Sequence, residues 1–196
     1  MDIAFIDHYD SFSFNVLDWL KRAGEGRISI NRIVAGDEAS LARVKYSPIP
    51  IVISPGPGRP SDYPRTLELL KNLIDKVPIL GICLGHQMLG ELAGGRIIKA
   101  SNPWHGTTSS IRVTANNWFT ENLPQQFNAI AYNSLVIDPQ QICSKEWLAL
   151  GSNQIGELMM MSHATKPIAS VQFHPESFGS ECGLTLAKNF IKRLSS

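Results

Sequence analysis

Three residues in this chain have the types and spacing for nucleophilic chemistry on a carbonyl. Cys83 lies in "VPILGICLGHQMLGELAGG" (77–95), where an apolar run meets a helical pattern and glycines stand two residues away on either side. Gly81-Ile82-Cys83-Leu84-Gly85 has the layout of the G-x-S-x-G nucleophile elbow, with Cys in place of Ser. A nucleophile at so sharp a turn takes a strained backbone, and side chains at the flanking positions would collide. The turn is expected to lift the thiol clear of the sheet and set it at the N-terminus of the helix beginning at Leu84, where the dipole favours a thiolate. Taken alone, a Cys between glycines reads sooner as a small packed residue.

A thiol nucleophile needs a base, and the base needs an orienting group. "SVQFHPES" supplies both, since residues two apart in extended backbone face the same side, bringing His174 and Glu176 together. Glu176 can hold the imidazole in one tautomer while the other ring nitrogen faces Cys83. A third stretch, "ISPGPGRP" (53–60), alternates Pro and Gly, so that Gly56 and Gly58 allow close backbone approach. An amide there, with the N–H of Leu84, can form an oxyanion hole. A phosphate-cradling reading is poorer, because the Lys-Ser/Thr of a Walker motif is missing and the prolines remove donors. A zinc site from Cys83, His86, Cys182 and His174 lacks matching ligand pairs. His86 reads as packing, and the Met159–Met161 run as filler of a half-buried strand.

The elements that must position these residues alternate in the first half. Strand-like "IAFID", "ISINRIVAG", "PIVISPGPG" and "VPILGI" are separated by helical "SFSFNVLDWLKRAG", "DEASLARVK", "PRTLELLKNLID" and "LGHQMLGELAGG". Phe14, Leu17, Trp19 and Leu20 suit a helix packed on one side, Asp37 a cap, and Pro64 a first turn. Strands separated by helices predict an α/β fold, a mostly parallel sheet covered by helices on both faces. In such sheets ligands bind at the carboxyl ends of strands, where Cys83 falls. The second half reads as strands, "GRIIKA", "TSSIRVT", "AIAYNSLVI", "WLALGSN", "GELMMMSH" and "IASVQF", closed by an amphipathic helix, "CGLTLAKNFIKRL". They predict a small additional antiparallel segment. Without repeats or flexible linkers, residues 1–196 read as one domain.

Apolar residues make up 43% and charged residues 18% of the 196, with a net charge of +1. No basic excess points to nucleic acid, no window approaches a membrane span, and no signal peptide is expected. Cys83, Cys143 and Cys182 read as reduced thiols in the cytoplasm.

Taken together, "SPGPGRP", "GICLGHQ" and "VQFHPES" resemble class I, or triad-type, glutamine amidotransferases in motif order and spacing. The resemblance runs essentially the whole chain and implies a flavodoxin-like fold. "IDHYDSFSFN", "SPGPGRPSD", His105-Gly106 and "YNSLVI" are most similar to the small glutaminase subunit of anthranilate synthase and aminodeoxychorismate synthase. The resemblance implies that Cys83 attacks the side-chain amide of L-glutamine, that His174 protonates departing ammonia and then activates water, and that Glu176 orients His174. Gly56, Pro57, Gly58 and Leu84 would surround the substrate and oxyanion, with Gln87, Ser134 and Leu135 binding glutamine. Ammonia would pass to a chorismate-binding synthase subunit on a separate polypeptide. No cofactor is implied for this chain, and Mg is expected only in that partner. Two positions depart from the family pattern, Asn133 where relatives usually carry His and Thr107 where they carry Lys. A non-catalytic regulatory homologue usually loses the Cys or the His, and a Cys hydrolase of another small amide would not need "GHQ" and "NSL".

Overall fold

The computed structural model describes residues 1–138, 142 and 145–194, so Cys143 lies outside the described residues. In chain order the elements begin with β1 (Asp2–Asp7), α1 (Ser13–Gly24), β2 (Ser29–Val34), α2 (Glu38–Tyr46) and β3 (Ile51–Ile53). A short 3-10 turn, Pro60–Asp62, leads into α3 (Pro64–Leu73), β4 (Ile79–Ile82), α4 (Leu84–Leu92) and β5 (Ile97–Lys99). The remainder is β6 (Thr107–Val113), β7 (Gln126–Ala131), β8 (Leu135–Ile137), β9 (Trp147–Asn153), β10 (Leu158–His163), β11 (Ile168–Val171) and α5 (Gly183–Leu194).

Among the described residues, nine strands form one sheet in the order β2-β1-β3-β4-β11-β10-β9-β6-β7. The first five run parallel and the rest antiparallel, while β5 and β8 make the separate two-stranded antiparallel sheet. The α/β reading from sequence holds. The central parallel strands β3 and β4 are apolar and buried because helices cover both faces, whereas the edge strand β2 carries Asn31 and Arg32. Alternation along β1 shows this directly, with Ile3 and Phe5 packing toward α1 and α5, and Ala4 and Ile6 toward α2, α3 and α4. Burying each of the Ile and Phe side chains contributes roughly 1.5–3 kcal/mol.

Local signals hold at the helix starts. Asp37 caps α2 by accepting the Ser40 N–H at 3.1 Å, and Pro64 opens α3. Three expectations are corrected. Phe14 is 69% exposed, with the Arg32 guanidinium over its ring; the buried stripe of α1 is Val16, Trp19, Leu20 and Ala23. "AIAYNSLVI" is two strands in two sheets, because the chain leaves β7 at Tyr132 and resumes at Leu135. Met159–Met161 are fully buried, not half-buried, since register shifts in β10 turn Met159 and Met160 to one layer and Met161 to the other.

The antiparallel half curls back on the parallel half. Three strands separate β11 from β7, yet His174, just past β11, donates its N–H to Ile130 O of β7 at 2.9 Å. The following segment continues along that edge, with Ser180 Oγ accepting from Ile130 N and Glu181 from Asn128 N. No helix among the described residues is long and apolar enough to cross a membrane.

Candidate active site

Cys83 occupies the bend between β4 and α4 with φ 51° and ψ −98°, a region costing about 1–3 kcal/mol for a residue with a side chain. The flanking glycines make the bend possible. A β-carbon on Gly81 would lie 2.5 Å from Gly85 O, and one on Gly85 would lie 2.8 Å from Ile53 Cβ. The Cys83 N–H donates to Val171 O at 2.9 Å, tying the elbow to the end of neighbouring β11. The thiol is not lifted clear of the sheet, as the motif suggests. Cys83 is only 8% exposed and belongs to the core cluster under α1 and α5. Gln172 Nε2 approaches its Sγ at 3.7 Å.

β11 lies beside β4, so the chain leaving β11 passes the elbow. His174 and Glu176 meet as their spacing predicts, with Nδ1 2.7 Å from Oε1 and both side chains buried. The His174 carbonyl accepts from Ser180 Oγ at 2.6 Å, which with the Ile130 bond fixes the backbone on both sides of the ring. With Nδ1 on the carboxylate, Nε2 is left for the hydrogen bond to Cys83. Burial by itself would lower the His174 pKa. Hydrogen bonds to Cys83 and Glu176, and their charges, outweigh burial and hold it well above the ordinary histidine value. The arrangement favours the protonated imidazole.

The Gly-Pro loop after β3 reaches the elbow. A β-carbon on Gly56 would lie 2.6 Å from His8 Cβ and 2.8 Å from Leu84 Cδ2, so the loop packs on the first residue of α4. Gly58 has φ 77°, and a β-carbon there would strike Asp62 Oδ2. Pro57 O accepts from the Tyr63 hydroxyl at 3.2 Å. The underside rests on His8, whose ring nitrogens bond Ser54 Oγ at 3.2 Å and Thr66 Oγ1 at 3.1 Å. Burial lowers the His8 pKa to about 4, against the pull of Asp7. His86 is likewise structural, with Nδ1 2.8 Å from Ser170 Oγ and a pKa lowered by burial to about 3.

Gln87 and Leu135 are brought together, Gln87 Nε2 donating to Leu135 O at 3.1 Å and to Gln172 Oε1 at 3.3 Å. Asn133 Nδ2 donates to the same Leu135 carbonyl at 3.1 Å, so the amide in the departing position still holds the loop. Ser134 is exposed and its carbonyl accepts from Ala100 N at 2.9 Å. Two neighbours escape sequence reasoning. Gln172 links Gln87 to Cys83, and its signal is a lone amide inside the apolar run "SVQF". Phe12 packs its ring 5.4 Å from that of His174, and no local pattern announces it. Among the described residues no group of three or more His, Cys, Asp or Glu is placed to hold a metal ion.

Comparison with known proteins identifies the family. The chain is 38% identical over 196 residues to anthranilate synthase component 2 of Pyropia yezoensis, covering 97% of this chain and 98% of the relative. It is 35% identical over 191 residues to aminodeoxychorismate/anthranilate synthase component 2 of Bacillus subtilis, covering 97% and 95% respectively. The crystal structure of a glutamine amidotransferase from Thermotoga maritima superposes with a TM-score of 0.77 at 18% identity, over 100% of this chain and 82% of that one. The family model of class-I glutamine amidotransferases matches residues 4–194, and the chain belongs to that family.

Proposed function

We propose that this chain is a glutaminase subunit that hydrolyses L-glutamine through a Cys83 thioester and delivers ammonia to a separate chorismate-using synthase subunit. One observation carries the reading: the His174 ring stands between the Cys83 thiol and the Glu176 carboxylate at the ends of adjacent strands.

The Cys83 thiolate attacks the side-chain carbonyl carbon of glutamine, and the developing oxyanion takes amides of Leu84 and of the Gly56–Gly58 loop. His174, protonated at Nε2, gives that proton to the amide nitrogen as the C–N bond breaks and ammonia leaves. A γ-glutamyl thioester remains. His174 then accepts a proton from water, hydroxide attacks the thioester carbon, the C–S bond breaks, and glutamate departs from the regenerated thiolate. Glu176 keeps the imidazole oriented throughout. Gln87 contributes a glutamine-binding side chain, and Ser134 with Leu135 form the segment that meets the α-amino and carboxylate end.

The component 2 names of the relatives support a partner that uses chorismate, giving anthranilate in tryptophan biosynthesis or 4-amino-4-deoxychorismate in folate biosynthesis. We assign Mg to that partner and the complex to the cytoplasm, and read residues 1–196 as one amidotransferase domain. Incubation with glutamine is expected to release glutamate, faster with the partner, and Cys83→Ala is expected to abolish release. Covalent labelling of Cys83 by a glutamine-analogue electrophile, located by peptide mass, is the direct check. Full turnover in Cys83→Ala, or none in the wild type with its synthase partner, defeats the reading.

A further inference from the structure

Three rings meet beside the Cys83–His174 contact. Phe12 lies between β1 and α1, and Tyr132 follows β7, far apart in sequence. Their ring centroids are 4.9 Å apart. Each also meets the imidazole of His174 near-perpendicularly, Phe12 at 5.4 Å and 66°, Tyr132 at 5.0 Å and 76°. All three separations fall within the range of favourable aromatic pairs.

We propose that Phe12 and Tyr132 form an aromatic clamp that positions the His174 imidazole and stabilises its protonated form. The proposal rests on the glutaminase reading for its consequence in turnover, though not for the clamp itself. Both rings are positioning residues, acting through His174.

Each arm of the clamp is braced. Asp10 Oδ2 accepts the Phe12 N–H at 2.6 Å, closing a tight turn that aims the ring, and Phe12 O begins α1 by accepting from Val16 N. Tyr132 lies against Gly106, where φ is 71° and a β-carbon would be 2.9 Å from Tyr132 Cε1. Next to Tyr132, Asn133 O accepts the Trp104 N–H at 2.9 Å. The backbone of His174 is fixed by Ile130 and Ser180, and its Nδ1 by Glu176. Those bonds still permit the ring to tilt about the Nδ1 contact, and the two aromatic walls oppose that tilt.

Chemistry gives the clamp a second effect. When Cys83 yields its proton, the imidazole becomes a cation, which the face of an aromatic ring attracts, and a near-perpendicular contact sets the face of one ring against the edge of the other. The other titratable groups facing the ring are Cys83 from the elbow, Glu176 from its own segment, Asp10 from the loop after β1, and the Tyr132 phenol. Burial raises the Asp10 pKa, and His174 and Glu176 act on it in opposite directions. Removing a ring leaves the carboxylates in place; because lost burial would act in the opposite direction on His174, the ring is replaced by a side chain that keeps apolar bulk.

The test is an NMR titration of the 15N-labelled His174 imidazole in the full chain, assigned by its loss in His174→Gln, beside steady-state glutamine hydrolysis. Phe12→Leu and Tyr132→Leu are each expected to lower the His174 midpoint by about half a pH unit. They should also lower kcat about three- to tenfold with KM for glutamine little changed. Phe12→Tyr and Tyr132→Phe, which keep a ring, are expected to restore both quantities. Phe12→Met replaces Phe12→Leu should the latter fail to fold. An unchanged midpoint in the folded ring-less variants overturns the clamp, as does an equal fall in the ring-keeping ones. Shifted midpoints in the ring-less variants, together with a wild type that hydrolyses no glutamine even with its synthase partner, support the clamp and defeat the glutaminase reading alone.

Discussion

A β-carbon on Gly81 would sit 2.5 Å from the carbonyl oxygen of Gly85, four residues on across the elbow. The obstruction is backbone, so no side-chain rotation relieves it. Gly81→Ala is expected to destabilise the protein by about 2–4 kcal/mol, in the range of severe overpacking. Urea unfolding of the two proteins measures it, and a midpoint equal to wild type would show that the elbow relaxes freely.

The backbone of Cys83 itself carries strain, with φ 51° and ψ −98°. In most positions Ala is more stable than Gly. Here the order is expected to reverse, Cys83→Gly being more stable than Cys83→Ala by about 1 kcal/mol. Both variants lack the thiol, so comparing their thermal midpoints isolates the backbone.

Glu176 touches His174 and not the thiol, so its removal should change rate more than affinity. Glu176→Gln is expected to lower kcat about 10²–10⁴-fold, as loss of an orienting carboxylate does, with KM within about threefold of wild type. Glutamate release across a range of glutamine concentrations separates the two parameters. Equal loss in both would assign Glu176 to binding.

The His8 pKa is lowered by burial to about 4 from an ordinary 6.5. The folded state therefore keeps His8 neutral while the unfolded chain takes up a proton. Stability from this group is complete above about pH 6.5 and is lost as pH falls toward 4, by about 3 kcal/mol in all. His86, lowered to about 3, adds a loss of the same sign. Urea midpoints from pH 7 to 4 should fall less steeply in His8→Asn than in wild type. Parallel slopes would mean that His8 titrates alike in both states.

Much of the site is legible in the chain because its chemistry is local. The glycines two residues from Cys83 and the His174-x-Glu176 spacing each encode their geometry within a few residues. The helix cap at Asp37 and the opening proline at Pro64 do the same. What stays hidden depends on distant contacts. Phe14 reads as core by type, but the stripe of α1 is set by where α5 packs, and Val16 takes the inward place. "AIAYNSLVI" reads as one strand by composition, yet Leu135 leaves to pair with Lys99 in the small sheet. The thiol reads as exposed from its motif, whereas the burial of Cys83 comes from strands and helices that the elbow does not name. Phe12 joins the site only through tertiary packing.

The bond from His174 N to Ile130 O makes a hairpin answerable for a distant bend. β7 is an edge strand, and successive residues along it point their groups in alternate directions. A one-residue insertion between Gln126 and Ile130 would turn that acceptor away and withdraw a support of the imidazole, without touching the elbow or the Glu176 contact. Loop grafts and length changes at the β6–β7 hairpin thus become changes to proton transfer. For anyone borrowing this scaffold, the register of β7 has to be inherited along with the three reacting side chains.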